Sequence, residues 1–283
     1  MDSTASSPVV LVTGASSGLG RATATLLASQ GYRVFGTSRT PSRAPEAPFT
    51  LLPLDVRDDA SVEACVAEVL RAAGRIDVLI SNAGCAFVGA VEETSIAEAQ
   101  AQMETNCFGA LRVMRAVLPA MRVRQRGRIV AISSLAGLLP PPFLGAYAAS
   151  KHALEALSES LAYEVRPHGV HVSLVELDGM RTGIPFARPS RREPSYAEPS
   201  ARMLARLERI TGDAGGDPAE LAGCVLDVLA NPAPALRYVL GKEATLAVAA
   251  RRQLSEADYI RTMVGRLGLW DAPTGAGTRR EGA

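Results

Sequence analysis

Tyr147 and Lys151 stand four residues apart at the start of a helical pattern, a spacing that puts both on one face. A phenol ordinarily ionises near pH ~10. A neighbouring ammonium favours the phenolate and draws that value toward neutrality. Such a phenol can hand a proton to a carbonyl oxygen as hydride reaches the carbon. Ser134 ends an apolar run thirteen residues before Tyr147, where its hydroxyl would bond the same substrate oxygen and support the charge forming there. A rival pair with the same spacing, Tyr238 and Lys242, straddles a strand end and Gly241, and no serine closes a strand upstream of it. Lysine is scarce: of 30 basic residues only these two are lysine, so a compact ammonium at position 151 stands out in an arginine-rich chain.

A second group of residues has the chemistry of phosphate binding. The string TGASSGLG, residues 13–20, joins the first apolar run to the first helical pattern. Gly14, Gly18 and Gly20 let backbone approach a pyrophosphate, which free N–H groups of Ser16, Ser17 and Leu19 at a helix N-terminus would attract. An ordinary glycine-rich turn is the alternative. The second apolar run ends in Ser38-Arg39, with no acid between residues 32 and 43. An acid there would suit the ribose hydroxyl of NAD. A guanidinium instead suits a 2′-phosphate by charge and fork geometry. NADP(H) is therefore expected before NAD(H), unless Arg39 is simply solvated. Asp55-Val56 and Asn82-Ala83-Gly84 follow the third and fourth runs, at the strand ends where ligands of open α/β sheets lie, though turn chemistry alone would also place Asp, Asn and Gly there.

The elements that must position these groups alternate. Strands are expected at 8–13, 32–38, 49–54, 76–81, 128–133, 170–177 and 237–240. Helices are expected at 19–30, 58–73 (stopped by Gly74), within 95–124 as one or two, at 147–166 and at 217–229. Continuous apolar strands separated by helices imply a parallel sheet covered on both faces. The fold class is thus α/β, a single-domain Rossmann-like, doubly wound sheet spanning residues 1–270, with 271–283 a flexible tail. The chain has 283 residues, 47% hydrophobic and 21% charged, and a formal charge of +1, which gives no reason to expect nucleic acid or an anionic membrane as partner. The start has no basic-then-apolar leader, and no apolar run is long enough to span a bilayer. The four scattered cysteines suit reduced thiols in the cytoplasm, and they do not cluster with the three histidines as a metal site would.

Together these motifs resemble the short-chain dehydrogenase/reductase family, in the branch carrying TGxxxGxG and YxxxK, over about residues 9–240. The 34–41 and 175–182 stretches look most like bacterial reductases similar to 17β-hydroxysteroid and retinol dehydrogenases. The resemblance implies seven parallel strands and an NAD(P)-dependent oxidoreductase acting on a ketone, aldehyde or alcohol. It implies that Asp55 contacts the adenine, that Asn82-Ala83-Gly84 border the cofactor, and that Lys151 holds the nicotinamide ribose while tuning Tyr147. Asn106 in NCFG would belong to the proton relay, or be a buried structural amide. One departure is Leu177-Asp178 where the family often has Pro-Gly; Thr182 keeps its spacing, so carboxamide contacts are expected around Leu177 and Thr182.

The resemblance also makes 183–216 a variable substrate lid. Its arginines (188, 191, 192, 202, 206 and 209) fit either an acidic substrate or, preferably, a solvated loop, since Glu193, Glu198 and Glu208 dilute the charge. Ser134, Phe143 and Tyr147 are the expected substrate contacts. Residues 140–142 stiffen a pocket wall, and Met180, Ile184 and Phe186 would extend it or simply pack in the core. Family members pair through the helices near 100–124 and 147–166, implying a homodimer or homotetramer. Two other functions remain beside the hydride-transferring enzyme: a cofactor-binding sensor without turnover, and an epimerase working through transient oxidation.

Overall fold

The computed structural model describes residues 7–43 and 46–268; the expected tail at 271–283 lies outside the described residues. Seven parallel strands form the central sheet: β1 (Val9–Val12), β2 (Arg33–Ser38), β3 (Thr50–Pro53), β4 (Val78–Ser81), β6 (Gly127–Ile132), β7 (Val170–Leu177) and β9 (Arg237–Leu240). A separate two-stranded ribbon pairs β5 (Ala86–Phe87) with β8 (Phe186–Ala187). The sheet order is β3-β2-β1-β4-β6-β7-β9. The chain therefore winds outward from β1 in one direction and from β4 in the other. The reversal opens a crevice at the carboxyl ends of β1 and β4.

The alternation of strand side chains builds two cores. Val9 and Leu11 point to the layer of α2 (Asp59–Ala73), α4 (Gly109–Val123) and α5 (Gly145–Val165). Val10 and Val12 point to the opposite layer of α1 (Gly18–Ser29) and α7 (Pro218–Ala230). Both faces are apolar because both are covered. Helix ends follow local chemistry. Asp58 caps α2 through the amides of Ala60 and Ser61, and Gly74 closes it in the left-handed conformation at φ 71°. Asp217 and Glu220 form a capping box on α7, with Pro218 at its first position.

The 95–124 span is two helices, as one of the two readings had it: α3 (Ile96–Met103) and α4, joined by a π turn at Glu104–Phe108. Two features differ from expectation. The 183–216 segment is not a solvated loop: it contains β8 and the amphipathic helix α6 (Ala197–Thr211), which buries Met203 and Leu207 in a third apolar cluster with Val88, Phe143 and Leu144. Two further helices, α8 (Lys242–Gln253) and α9 (Glu256–Leu267), follow β9. Most of their surface is exposed, so they offered little apolar stripe to read.

Candidate active site

A cleft of about 1380 Å³ runs along the carboxyl ends of the strands and continues beneath the lid. At its first end the glycine turn leaves β1 with Gly14 at φ 68° and Gly18 at φ 53°. A side chain at Gly20 would place its Cβ 2.3 Å from the Gly14 carbonyl and 2.4 Å from Asn82 Nδ2, and one at Gly18 would meet the Thr182 carbonyl at 2.4 Å. Asn82 Nδ2 donates to the Thr13 carbonyl (2.9 Å) and the Gly14 carbonyl (3.2 Å). In return Thr13 Oγ1 accepts from the Asn82 and Ala83 amides. The two strand-end loops are thus laced into one unit. Ser17 precedes α1 in extended conformation without a side-chain cap, and no acid occupies the first turn, so the helix N-terminus presents its amides to the cleft.

Further along, Arg39, Asp55 and Arg57 line the wall after β2 and β3. Asp55 binds Arg57 in a fork, with Oδ2 to Nη2 at 2.6 Å and Oδ1 to Nε at 3.0 Å. The Arg57 hydrogen bonds hold the Asp55 carboxyl down at about 2, and the Arg39 charge adds to the effect.

At the middle of the cleft, Ser134, Tyr147 and Lys151 line one wall. Ser134 Oγ accepts from the Ala136 amide at 3.1 Å, which leaves its hydroxyl proton to donate. Tyr147 sits in the first turn of α5 and Lys151 one turn on. The buried ammonium donates to the Ile132 carbonyl at 2.9 Å and lies 6.0 Å from the centre of the Tyr147 ring. Burial brings Lys151 down to about 8, against the pull of Glu155. The phenol departs from expectation: burial pushes it above its ordinary value, and what opposes this is a hydrogen bond from Ser134, not the charge of Lys151. Desolvation of a phenolate outweighs an ammonium whose proton is turned to a backbone carbonyl.

The sequence profile of the short chain dehydrogenase family matches residues 8–192. The chain belongs to this family. It is 38% identical over 237 residues to a 3-ketodihydrosphingosine reductase of Bacteroides thetaiotaomicron, covering 82% of this chain and 87% of that protein. It is 37% identical over 252 residues to human 17-beta-hydroxysteroid dehydrogenase type 1, covering 81% and 76% respectively. A short chain dehydrogenase/reductase from Burkholderia phymatum, solved in complex with NAD, superposes with a TM-score of 0.75 at 28% identity, covering 90% of this chain and 95% of that one. This short chain dehydrogenase is accordingly an oxidoreductase acting at CH–OH and C=O groups, with a nicotinamide cofactor.

Of the residues singled out from sequence, Gly14, Ser16, Ser17, Gly18, Leu19, Gly20, Ser38, Arg39, Asp55, Val56, Asn82, Ala83, Gly84, Ser134, Tyr147, Lys151, Leu177 and Thr182 all line the cleft. Phe143 is not among the residues lining the cleft. At φ 62° its ring makes an edge contact with Tyr196 (centroids 6.3 Å apart), while its neighbour Leu144 does line the cleft. Asn106 also stays behind the wall. Its amide donates to the Cys85 carbonyl (3.0 Å) and Ser150 Oγ (3.1 Å) and accepts from the Cys85 amide, while Ser150 donates to the Tyr147 carbonyl. It therefore ties the loop after β4 to the first turn of α5. The rival Tyr238 lies on β9 with its oxygen accepting from the Ala235 amide, outside any helix shared with Lys242.

Sequence reasoning missed Thr37, whose Oγ1 accepts from the Gly14 amide, and Arg57, which only its pairing with Asp55 reveals. It also missed a charged cluster behind Lys151. Glu155, one turn along α5, accepts from Arg237 at 3.1 Å, and Arg237 lies 3.4 Å from the wholly buried Glu176. Burial pushes Glu176 up to about 7. A lysine-to-glutamate spacing of four was the available signal for Glu155; Glu176 inside an apolar strand had none.

Proposed function

We propose that this short chain dehydrogenase is an NADP(H)-dependent reductase or dehydrogenase of ketones, aldehydes and alcohols, with Tyr147 as general acid and base. The observation that carries the reading is one wall holding a serine hydroxyl, a phenol and a buried ammonium, in a cleft whose far end is a glycine cradle. The cradle fits a dinucleotide: a Cβ at Gly18 or Gly20 would fill it, and the first amides of α1 have no side-chain cap. The residues that would hold the cofactor are the glycine turn at the pyrophosphate, Arg39 at the 2′-phosphate, Asp55 at the adenine, Asn82-Ala83-Gly84 along one side and Lys151 at the nicotinamide ribose, with Leu177 and Thr182 near the carboxamide. When bound, the nicotinamide supplies or accepts the hydride.

The protein's own part is proton management. Ser134 has one proton to donate, to the phenol or to the substrate oxygen, and stabilises charge on the one that receives it. Tyr147 gives its proton to that oxygen in reduction and takes one in oxidation. Its raised pKa keeps it protonated at neutral pH, which suits the reductive direction. Asn106 serves by position, holding the first turn of α5 through Ser150. NADP(H) is supported by Arg39 and by the absence of an acid from residues 32 to 43; Asp55 is already neutralised by Arg57.

No helix among the described residues is long and apolar enough to cross a membrane, and the free cysteines support a cytoplasmic setting. Residues 1–270 act as one domain in this reading. A homodimer or homotetramer is supported by exposed Phe108 just before α4, exposed Val123 at its end and exposed Tyr163 on α5.

The test is to titrate the protein with NADPH and NADH, then follow nicotinamide absorbance across a panel of ketones and alcohols. Turnover is expected, and Tyr147→Phe should lower it by about 10²- to 10⁴-fold while NADPH affinity stays within a few-fold. Binding without turnover throughout the panel would favour a sensor. Substrate interconversion with no net change in the nicotinamide would mark an epimerase.

A further inference from the structure

The lid carries a chemical pattern that the hydride-transfer reading does not use. On α6, residues 203–207 read Met-Leu-Ala-Arg-Leu; on α9, residues 263–267 read Met-Val-Gly-Arg-Leu. In both, the Met, Arg and Leu line the cleft: Met203, Arg206 and Leu207 from one helix, Met263, Arg266 and Leu267 from the other. The i, i+3, i+4 spacing makes each set a single helical stripe, with a guanidinium set in an apolar face. The helices meet there. Leu267 packs on the cluster holding Met203 and Leu207, and Arg202 Nη1 donates to the Gly268 carbonyl at 3.4 Å.

Arg206 is half-buried and Arg266 exposed, so each guanidinium is open to water or to a ligand entering the cleft. The cleft's carboxylates in this region have partners already: Glu98 accepts from the Ser95 and Ser190 amides, and Glu220 from the Asp217 amide. Three neighbouring arginines do have partners: Arg202 pairs with Glu198, Arg181 with Asp217, and Arg188 donates to Ser200 Oγ. Among the described residues, neither Arg206 nor Arg266 has an ion pair. Apolar side chains of the same lining include Leu144, Met180, Ile184 and Phe186. One cleft is thus lined by a phenol, by apolar side chains and by two guanidiniums from separate helices.

We infer that Arg206 and Arg266 form an anion clamp in the lid, selecting substrates with an apolar body and an anionic oxygen head group. The inference rests on the reading of this cleft as the carbonyl site. Carboxylate and phosphate heads share the required chemistry, because each accepts two parallel N–H bonds from a guanidinium. A cationic head is excluded by the same charges.

The experiment is isothermal titration of the full chain with decanoate, decyl phosphate, decanol and decylamine, each below its micelle threshold. Decanoate or decyl phosphate should bind at least tenfold more tightly than decanol, with decylamine weakest; the tighter of the two anions names the head group. The preference should fall about tenfold in Arg206→Met and in Arg266→Met, and vanish in the double variant. Melting curves check that each variant is folded, and the wild-type series needs none of them. Decanol binding as tightly as both anions overturns the clamp, as does an anion preference that survives in the folded double variant. So does decanoate that competes with NADPH, since the arginines would then belong to the cofactor end. Selective anion binding with no ketone reduced by either cofactor leaves the clamp standing and defeats the carbonyl-site reading. Ketone reduction with no anion preference does the reverse.

Discussion

The two ends of the cleft are built in different ways. At the cofactor end backbone meets backbone: Gly14, Gly18 and Gly20 sit where any Cβ would strike a carbonyl, an amide nitrogen or a neighbouring Cα within 3.0 Å. At the lid end side chain meets side chain. Met203, Leu207 and Phe143 share an apolar cluster, and acids from the loop after β5 pin the segment, with Glu93 accepting from the Glu193 amide and Glu92 from the Tyr196 hydroxyl. Contacts between main chains tolerate no substitution, whereas contacts between side chains can be exchanged. A rigid end suits a ligand of fixed shape, and an exchangeable end suits a substrate that differs among relatives.

The same substitution made at each end is the sharpest way to break that contrast. Gly20→Ala should be severe, because the new methyl meets the Gly14 carbonyl at 2.3 Å and must displace either α1 or the Asn82 loop. We expect a loss of about 1–3 kcal/mol or more in urea unfolding, together with weakened nicotinamide binding. A variant as stable as the parent would mean that the turn has slack. Arg39→Leu tests the chemistry of the same end. NADPH affinity should drop by one to two orders of magnitude, roughly the worth of a charged hydrogen bond, with NADH little changed. Equal weakening of both cofactors would remove the 2′-phosphate assignment.

Between the two ends, behind Lys151, stability should depend on pH. Glu176 is pushed up to about 7 by burial, far above an unfolded glutamate at ~4.3. From about pH 4.3 to about 7 the folded chain therefore holds a proton that the unfolded chain has released, and stability falls as pH rises through that window. Glu176→Gln stays neutral throughout. Its melting temperature relative to the parent should be higher at pH 8 than at pH 5, and a pH-independent difference would show that Glu176 ionises normally. The smallest effect belongs to the lid. Gly265 lies inside α9, and a Cβ there would meet nothing within 4 Å. Gly265→Ala should stabilise by up to ~1 kcal/mol through helix propensity alone, the opposite sign to Gly20→Ala. Destabilisation would mean that the lid packs as tightly as the cofactor end.

Much of the architecture was legible because covered parallel strands are uniformly apolar and their loops carry turn residues. The stretch Val9–Val12 could hardly be anything but a buried strand, and Asp58 and Gly74 mark the ends of α2 by capping chemistry. The wall of Ser134, Tyr147 and Lys151 was legible for the same local reason, since one helical turn separates Tyr147 from Lys151. The lid was less so. Helices α8 and α9 expose most of their surface, which removes the periodic signal, and the left-handed φ of Phe143 cannot be read from its type.

By itself, then, the chain's order of residues determined the strands, the glycine turn after β1 and the spacing of phenol and ammonium, since each is set by interactions among near neighbours. Only the tertiary structure decided which groups desolvate one another. Packing set the phenol above its ordinary pKa, committed Asn106 to Cys85 and Ser150, buried Glu176 beside Arg237, and brought two arginines from helices 60 residues apart to one cleft. Burial and long-range proximity are properties of the folded volume, and no local pattern encodes them.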